Sequence, residues 1–163
     1  MTRVRGFEKV SLDIFADKGL LNDVKETYDR IKLPKRSTKY SAGYDIFSPI
    51  PFMLQTGEEI SVPLGFKVYM PQDEFFMIVP RSGLGFKYYT RLANTVGIID
   101  SDYYGNTKND GHCMAKMRNE SSDKTIYIEE GDAIAQGIFL NYLLADGDIA
   151  DSERVGGFGS TGK

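Results

Sequence analysis

The chain has 163 residues, 41% hydrophobic and 26% charged, a size and composition that call for one compact domain. Its 20 Lys and Arg against 23 Asp and Glu leave a net charge of -3 and a pI near 5.2, so no positive field exists to hold a nucleic-acid backbone along an extended track. A small polyphosphate needs only a few local cations, and that class of ligand stays open. The first residues, Met1 to Glu8, are charged and lead into alternation, and no long apolar run follows. That pattern predicts a cytoplasmic protein with no membrane association. A single cysteine, Cys113, cannot form an intrachain disulfide, and with one histidine, His112, there is no Cys/His set for zinc. Any metal must therefore be held by oxygen. As neighbours on a strand, His112 and Cys113 point to opposite faces, which argues against a catalytic dyad.

In chain order, short runs of β-branched and aromatic residues recur between turn formers. They are Val4 to Val10, Ile60 to Tyr69, Phe75 to Val79, Leu92 to Ile99, Cys113 to Asn119, Thr125 to Ile128 and Ala133 to Leu140. This spacing predicts an all-β sandwich or barrel. Pro49, Pro51, Pro63, Pro71 and Pro80 lie in or at the ends of these runs and mark turns or edges. The clear helical pattern is Leu21, Val24, Tyr28 and Ile31, which predicts one short amphipathic helix within Asp17 to Lys32, in an insertion of about 16–33. A second helical turn is expected after Ser82, against the preference of Gly83 and Gly85. From Gly156 onward glycines dominate, and such a piece cannot bury enough apolar surface to order itself. It is expected to be a mobile arm over 154–163, attached to a β domain over 1–153.

Several segments carry groups suited to phosphate chemistry. The tail Gly157-Phe158-Gly159-Ser160-Thr161-Gly162-Lys163 fits the start of a P-loop, but a P-loop also needs a preceding strand, a Ser/Thr after the lysine and a following helix. What remains is that its glycines let backbone N–H groups approach phosphate oxygens, while Ser160 and Thr161 add hydroxyl donors. Pro80-Arg81-Ser82-Gly83 offers a planar guanidinium and a hydroxyl after an apolar run; in isolation it also reads as a turn with a surface arginine. Asn94 to Gly105 is the most informative stretch, because an apolar strand ends abruptly in Asp100 and Asp102, followed by Tyr103, Tyr104 and Gly105. Carboxylates at a strand end can take a proton from water or hold Mg²⁺ through water, and an aromatic beside them can floor a sugar or base. The alternative is an Asp-initiated turn whose aromatics pack back on the sheet.

In order, Ala42-Gly43-Tyr44-Asp45, Pro80 to Gly83, Asn94 to Gly105, Gly131 to Gln136 and Arg154 to Gly162 resemble the five motifs of the trimeric dUTP diphosphatase (dUTPase) family. The resemblance covers almost the whole chain. It implies a jelly-roll-like β-barrel assembled as a homotrimer, with each active site built from several subunits and closed by a neighbour's tail. The implied reaction is hydrolysis of dUTP to dUMP and pyrophosphate with Mg²⁺ as cofactor, which limits uracil entry into DNA and supplies dUMP for thymidylate synthesis. On this resemblance Asp100 activates the attacking water, while Asn94 with the backbone of Gly97 to Ile99 reads uracil. Tyr103 lies beneath the deoxyribose and excludes a 2'-hydroxyl, and Phe158 stacks on the base. Arg81, Ser82, Gly83 and Gln136 hold the phosphate chain, with Arg154, Ser160 and Thr161 adding contacts from the tail. The metal is bound indirectly through water and phosphates, with Asp45 supporting.

Three features depart from the family pattern. Five residues before Phe158, where many members carry the tail arginine, stands Glu153, and Arg154 sits one place later. The segment 106–111 adds a loop after Gly105, expected beside the metal-facing carboxylates. The insertion near residues 16–33 is also extra. The rivals are a dCTP deaminase of the same fold, disfavoured because the strand ends in Asp100 and a stacking tail follows, and a dUTPase-fold regulatory binding protein. The intact motif set argues against loss of activity and leaves a regulatory protein partner compatible with catalysis.

Overall fold

The computed structural model describes residues 3–16 and 23–157. Its strands are β1 (Gly6–Lys9), β2 (Tyr44–Phe47), β3 (Phe52–Leu54), β4 (Glu59–Pro63), β5 (Phe66–Tyr69) and β6 (Glu74–Pro80). They continue as β7 (Arg91–Leu92), β8 (Gly97–Asp100), β9 (Met114–Arg118), β10 (Ile126–Ile128) and β11 (Ala133–Asn141). All pairings are antiparallel: β1 with β5, β3 with β10, β4-β9-β7 in order, and a central sheet ordered β2-β11-β6-β8. The strands form an all-β architecture, as the spaced apolar runs predict, of the jelly-roll type that the family resemblance implies. Among the described residues no helix is long and apolar enough to cross a membrane.

Alternation places one core between the layers. Ala115 and Met117 of β9, Phe76 and Ile78 of β6, and Ile126 and Ile128 of β10 point inward while their strand neighbours point out. Two runs read as single strands are each broken by a corner. Ile60 to Tyr69 splits at Leu64-Gly65, where Gly65 has φ +74° and donates its N–H to His112 Nε2 at 3.0 Å. A Cβ on Gly65 would come within 2.4 Å of Ile31 Cδ1, so the corner needs glycine for space as well as for φ. Leu92 to Ile99 splits at a tight turn in which Thr95 (φ 67°) donates its N–H to Leu92 O and Val96 donates to Asn94 O. Strands β2 and β3 lie outside the runs read from sequence. Both are short, and β3 sits directly after Pro49 and Pro51.

Within Asp17 to Lys32 the described residues hold the expected short helix, α2 (Val24–Arg30), and a further helix, α1 (Leu12–Ala16), precedes that span; Leu21 and its neighbours over 17–22 lie outside the described residues. Asp23 caps α2, its Oδ1 accepting from Glu26 N at 3.0 Å, so the helical pattern begins in earnest only there. Val24, Tyr28 and Ile31 do form its inner face, packing with Ile14 and the buried Val10 and Phe15 as a small second core. The helix expected after Ser82 is α3 (Ser82–Tyr88).

Within the central sheet, Phe76 lies over Gly137 of β11, and a Cβ there would fall 1.9 Å from Phe76 Cζ. The ring also contacts Phe139 and Phe7 at centroid distances of 4.8 and 5.3 Å, so it has no free direction in which to yield. Gly137→Ala is expected to destabilise the fold by about 1–3 kcal/mol, read as a lower urea midpoint at fixed protein concentration; an unchanged midpoint would show that this packing is slack.

Candidate active site

The turn between β7 and β8 and the end of β8 enclose a cleft of about 220 Å³ lined by Asn94, Gly97, Ile99, Asp100 and Tyr103. Gly97 pairs with Ile78 across the sheet, where a Cβ would sit 3.3 Å from Ile78 Cβ, which keeps this edge of the cleft thin. Ile99 pairs with Phe76 and Asp100 with Phe75, after which a 3-10 turn over Ser101–Tyr103 swings the chain under the cleft. Asp100 therefore stands where the ladder stops, at the edge of the cleft.

Tyr103 is buried, 6% exposed, with its ring against the cleft. Its hydroxyl donates to His112 O at 3.0 Å and accepts from Asn109 Nδ2 at 2.8 Å. Burial pushes its phenol above the ordinary tyrosine range. His112, also buried, accepts the Gly65 N–H at Nε2 and packs 6.2 Å from the Phe15 ring. The adjacent Cys113 is buried, and lack of solvation drives its thiol well above the usual value. A nucleophilic pair is thus ruled out by environment as well as by direction.

The described part of the C-terminal arm reaches the same cleft. Arg154 donates through Nη2 to Asp100 Oδ2 at 2.5 Å and through Nε to Asp102 Oδ1 at 2.6 Å. Gly157 lies against Tyr103, where a Cβ would be 2.5 Å from the ring. Phe158, Ser160 and Thr161 lie outside the described residues.

The remaining predicted residues gather elsewhere. Asp45 on β2 pairs with Gln136 on β11, and Gln136 pairs with Val79 on β6. Arg81 follows β6 directly, its Nε 3.1 Å from Asp45 Oδ1; Ser37 donates its hydroxyl to Asp45 Oδ2. Ser82 and Gly83 open α3 and are exposed. Gly43 leaves room for Gln136, since a Cβ there would sit 2.5 Å from Gln136 Oε1. Asp100 is registered with Phe75 and Arg81 comes after Pro80, so these two groups stand six residues apart along β6, about 20 Å at about 3.3 Å per residue. One chain brings Asn94, Gly97, Ile99, Asp100, Tyr103 and Arg154 together, and brings Asp45, Arg81 and Gln136 together, but does not join the two sets.

A family model for dUTPase matches residues 29–162. The chain belongs to the dUTPase family. It is similar to the deoxyuridine 5'-triphosphate nucleotidohydrolase of Lactococcus lactis subsp. lactis, with 41% identity over 162 residues covering 98% of this chain and 99% of the relative. The enzyme of the same name from Actinobacillus succinogenes is 40% identical over 153 residues, covering 86% of this chain and 97% of that one. Among solved structures, the dUTPase of Streptococcus mutans superposes with a TM-score of 0.67 at 35% identity, over 87% of this chain and 99% of its own. A dUTPase from phage phi11 of S. aureus, 19% identical with a TM-score of 0.65 over 92% of this chain and 97% of its own, shares the fold.

The loop 106–111, expected beside the carboxylates, is bonded to Tyr103, the residue after Asp102, through Asn106 and Asn109. His112, whose carbonyl accepts from the Tyr103 hydroxyl, has no signal in the sequence beyond being the one histidine of the chain. Cys113 is expected to resist a thiol reagent in the native protein and to react on unfolding in urea. Rapid native labelling would contradict the burial described.

Proposed function

We propose that this protein hydrolyses dUTP to dUMP and pyrophosphate. The observation that carries this reading is the cleft in which Asp100 ends β8 beside the Asn94–Gly97 turn and above the buried Tyr103 ring. Uracil enters against the turn, reading Asn94 and the backbone of Gly97 and Ile99, and the deoxyribose rests on Tyr103. Asp100 accepts a proton from a water whose oxygen attacks the α-phosphorus; the bond to the α–β bridging oxygen breaks, and that oxygen leaves with pyrophosphate. Arg81, Ser82, Gly83 and Gln136 hold the phosphates, and positioning with charge stabilisation supplies most of the barrier lowering.

Mg²⁺ fits this site as a phosphate-borne ion. Among the described residues no three His, Cys, Asp or Glu side chains are grouped to hold a metal, so the nucleotide's oxygens and water would be its main ligands, with Asp45 supporting. When bound it neutralises charge on the phosphates. In the arm over 154–163, Phe158 would cover the base while Ser160 and Thr161 reach the γ-phosphate. Arg154 already forks onto Asp100 and Asp102, so phosphate oxygens must compete with those carboxylates for its guanidinium.

Asp100 and the Arg81–Ser82 pair must both reach the α-phosphate, yet stand about 20 Å apart along β6 of one chain. This supports a homotrimer in which one subunit's Asp100 meets another's Arg81. Asp100→Asn is expected to retain dUTP binding while lowering kcat by about 10²–10⁴-fold, checked by pyrophosphate release and equilibrium binding. Near-normal turnover would remove Asp100 as the base. Equal mixing and reassembly of inactive Asp100→Asn and Arg81→Ala chains should restore activity at about a quarter of the sites, the share that random assembly gives complementary pairs. No recovery, with mixed oligomers verified, would place both groups in one chain's site.

A further inference from the structure

We propose that Asn109, in the added loop 106–111, is a positioning residue that locks the Tyr103 ring against the substrate sugar and so sets discrimination between deoxyribo- and ribonucleotide. The proposal rests on the reading of Tyr103 as the sugar floor. Steric exclusion of a single hydroxyl works only if the surface it strikes cannot retreat, so the holding of the ring matters as much as its presence.

The ring is anchored at its far end. Its hydroxyl donates to His112 O at 3.0 Å and accepts one N–H from Asn109 Nδ2 at 2.8 Å. With the first bond alone the phenol can pivot about a single contact; the second fixes its tilt. Asn109 is itself held, its Oδ1 accepting from Asn106 Nδ2 at 2.7 Å and from Gly111 N at 3.2 Å. Asn106 also donates to Tyr103 O at 2.8 Å and accepts the Lys108 and Asn109 amides at 3.1 Å each. The loop thus satisfies its own polar groups, and its one side-chain donor directed at an aromatic is Asn109 Nδ2.

The outer end of the loop is tied as well. Asp110, at φ 59°, accepts from Lys67 Nζ at 2.7 Å on β5 and from the Ser11 amide at 3.1 Å, just before α1. Gly111 must stay bare, because a Cβ would lie 2.7 Å from Tyr103 O. A loop that only closed the chain would not need a half-buried amide donor whose own oxygen is held by two hydrogen bonds and which is aimed at the phenol.

The test measures kcat/KM for dUTP and for UTP in wild type, Asn109→Ala, Asn109→Asp, Tyr103→Phe, Tyr103→Ala and the Tyr103→Phe/Asn109→Ala double variant. Asn109→Asp retains the acceptor that binds Asn106 and Gly111 and replaces the donor by a carboxylate oxygen; the phenol has one hydrogen, so it then keeps only one of its two tethers, and this variant decides the matter if Asn109→Ala fails to fold. Expected is a loss of dUTP-over-UTP preference of roughly fivefold in the Asn109 variants, arising from faster UTP turnover with dUTP kcat little changed. In the Tyr103→Phe background the Asn109 substitution should add nothing. An unchanged preference in folded Asn109→Asp, or an equal loss in the Tyr103→Phe background, overturns the proposal. Should Tyr103→Ala relax the preference while Asn109→Asp does not, only the role of Asn109 fails; if Tyr103→Ala also leaves it unchanged, the sugar-floor reading fails with it.

Discussion

Everything in this molecule hangs on the pairing of β6 between β11 and β8. The strand contributes Phe76 and Ile78 to the core, carries β8 and hence Asp100 near its first residues, and delivers Arg81 just beyond its last. A one-residue slip of β8 against β6 would exchange the inward and outward faces of β8 and turn Asp100 away from the cleft. Because a strand is stiff and extended, it also imposes a separation. The groups at its two ends are held apart by a distance no side chain spans, and that constraint favours a site completed by a second copy over one closed within the chain.

A second junction ties the inserted helices and the loop 106–111 to the cleft. His112 receives the Gly65 amide where β4 gives way to β5, touches Phe15 of the inserted helices and offers its carbonyl to Tyr103. Asp110 reaches Ser11 and Lys67 from the neighbouring loop. The insertion is therefore not an appendage on the rim; its small core backs onto the same residues that hold the aromatic floor. Low solvent access at His112 and Tyr103 makes each of these hydrogen bonds costly to leave unmade.

The arm presents the opposite situation. Arg154 is held by two carboxylates at the mouth of the cleft rather than by a packed core. Such a contact is exchangeable, since phosphate oxygens satisfy a guanidinium fork as well as carboxylates do. The spacing of Arg154 one residue nearer Phe158 than in many family members leaves its reach to be decided by this competition.

Much of this was legible in the sequence. Apolar alternation located most strands, the ordered motifs pointed to the family, and the abrupt end of an apolar run at Asp100 marked the cleft, because these signals lie within a few neighbouring residues. Local signals also fell short: the short helix Leu12–Ala16 carries no periodic pattern of its own, and the run across Leu64-Gly65 hides a corner. What only the tertiary structure decided were relations between distant residues. That Gly65 meets His112, that Asn109 supports Tyr103, and that Asp100 and Arg81 sit at opposite ends of one strand depend on how sheets and corners fold back on themselves. Residue type and spacing determine which chemistry is present; only closure of the chain in space determines which groups share a site.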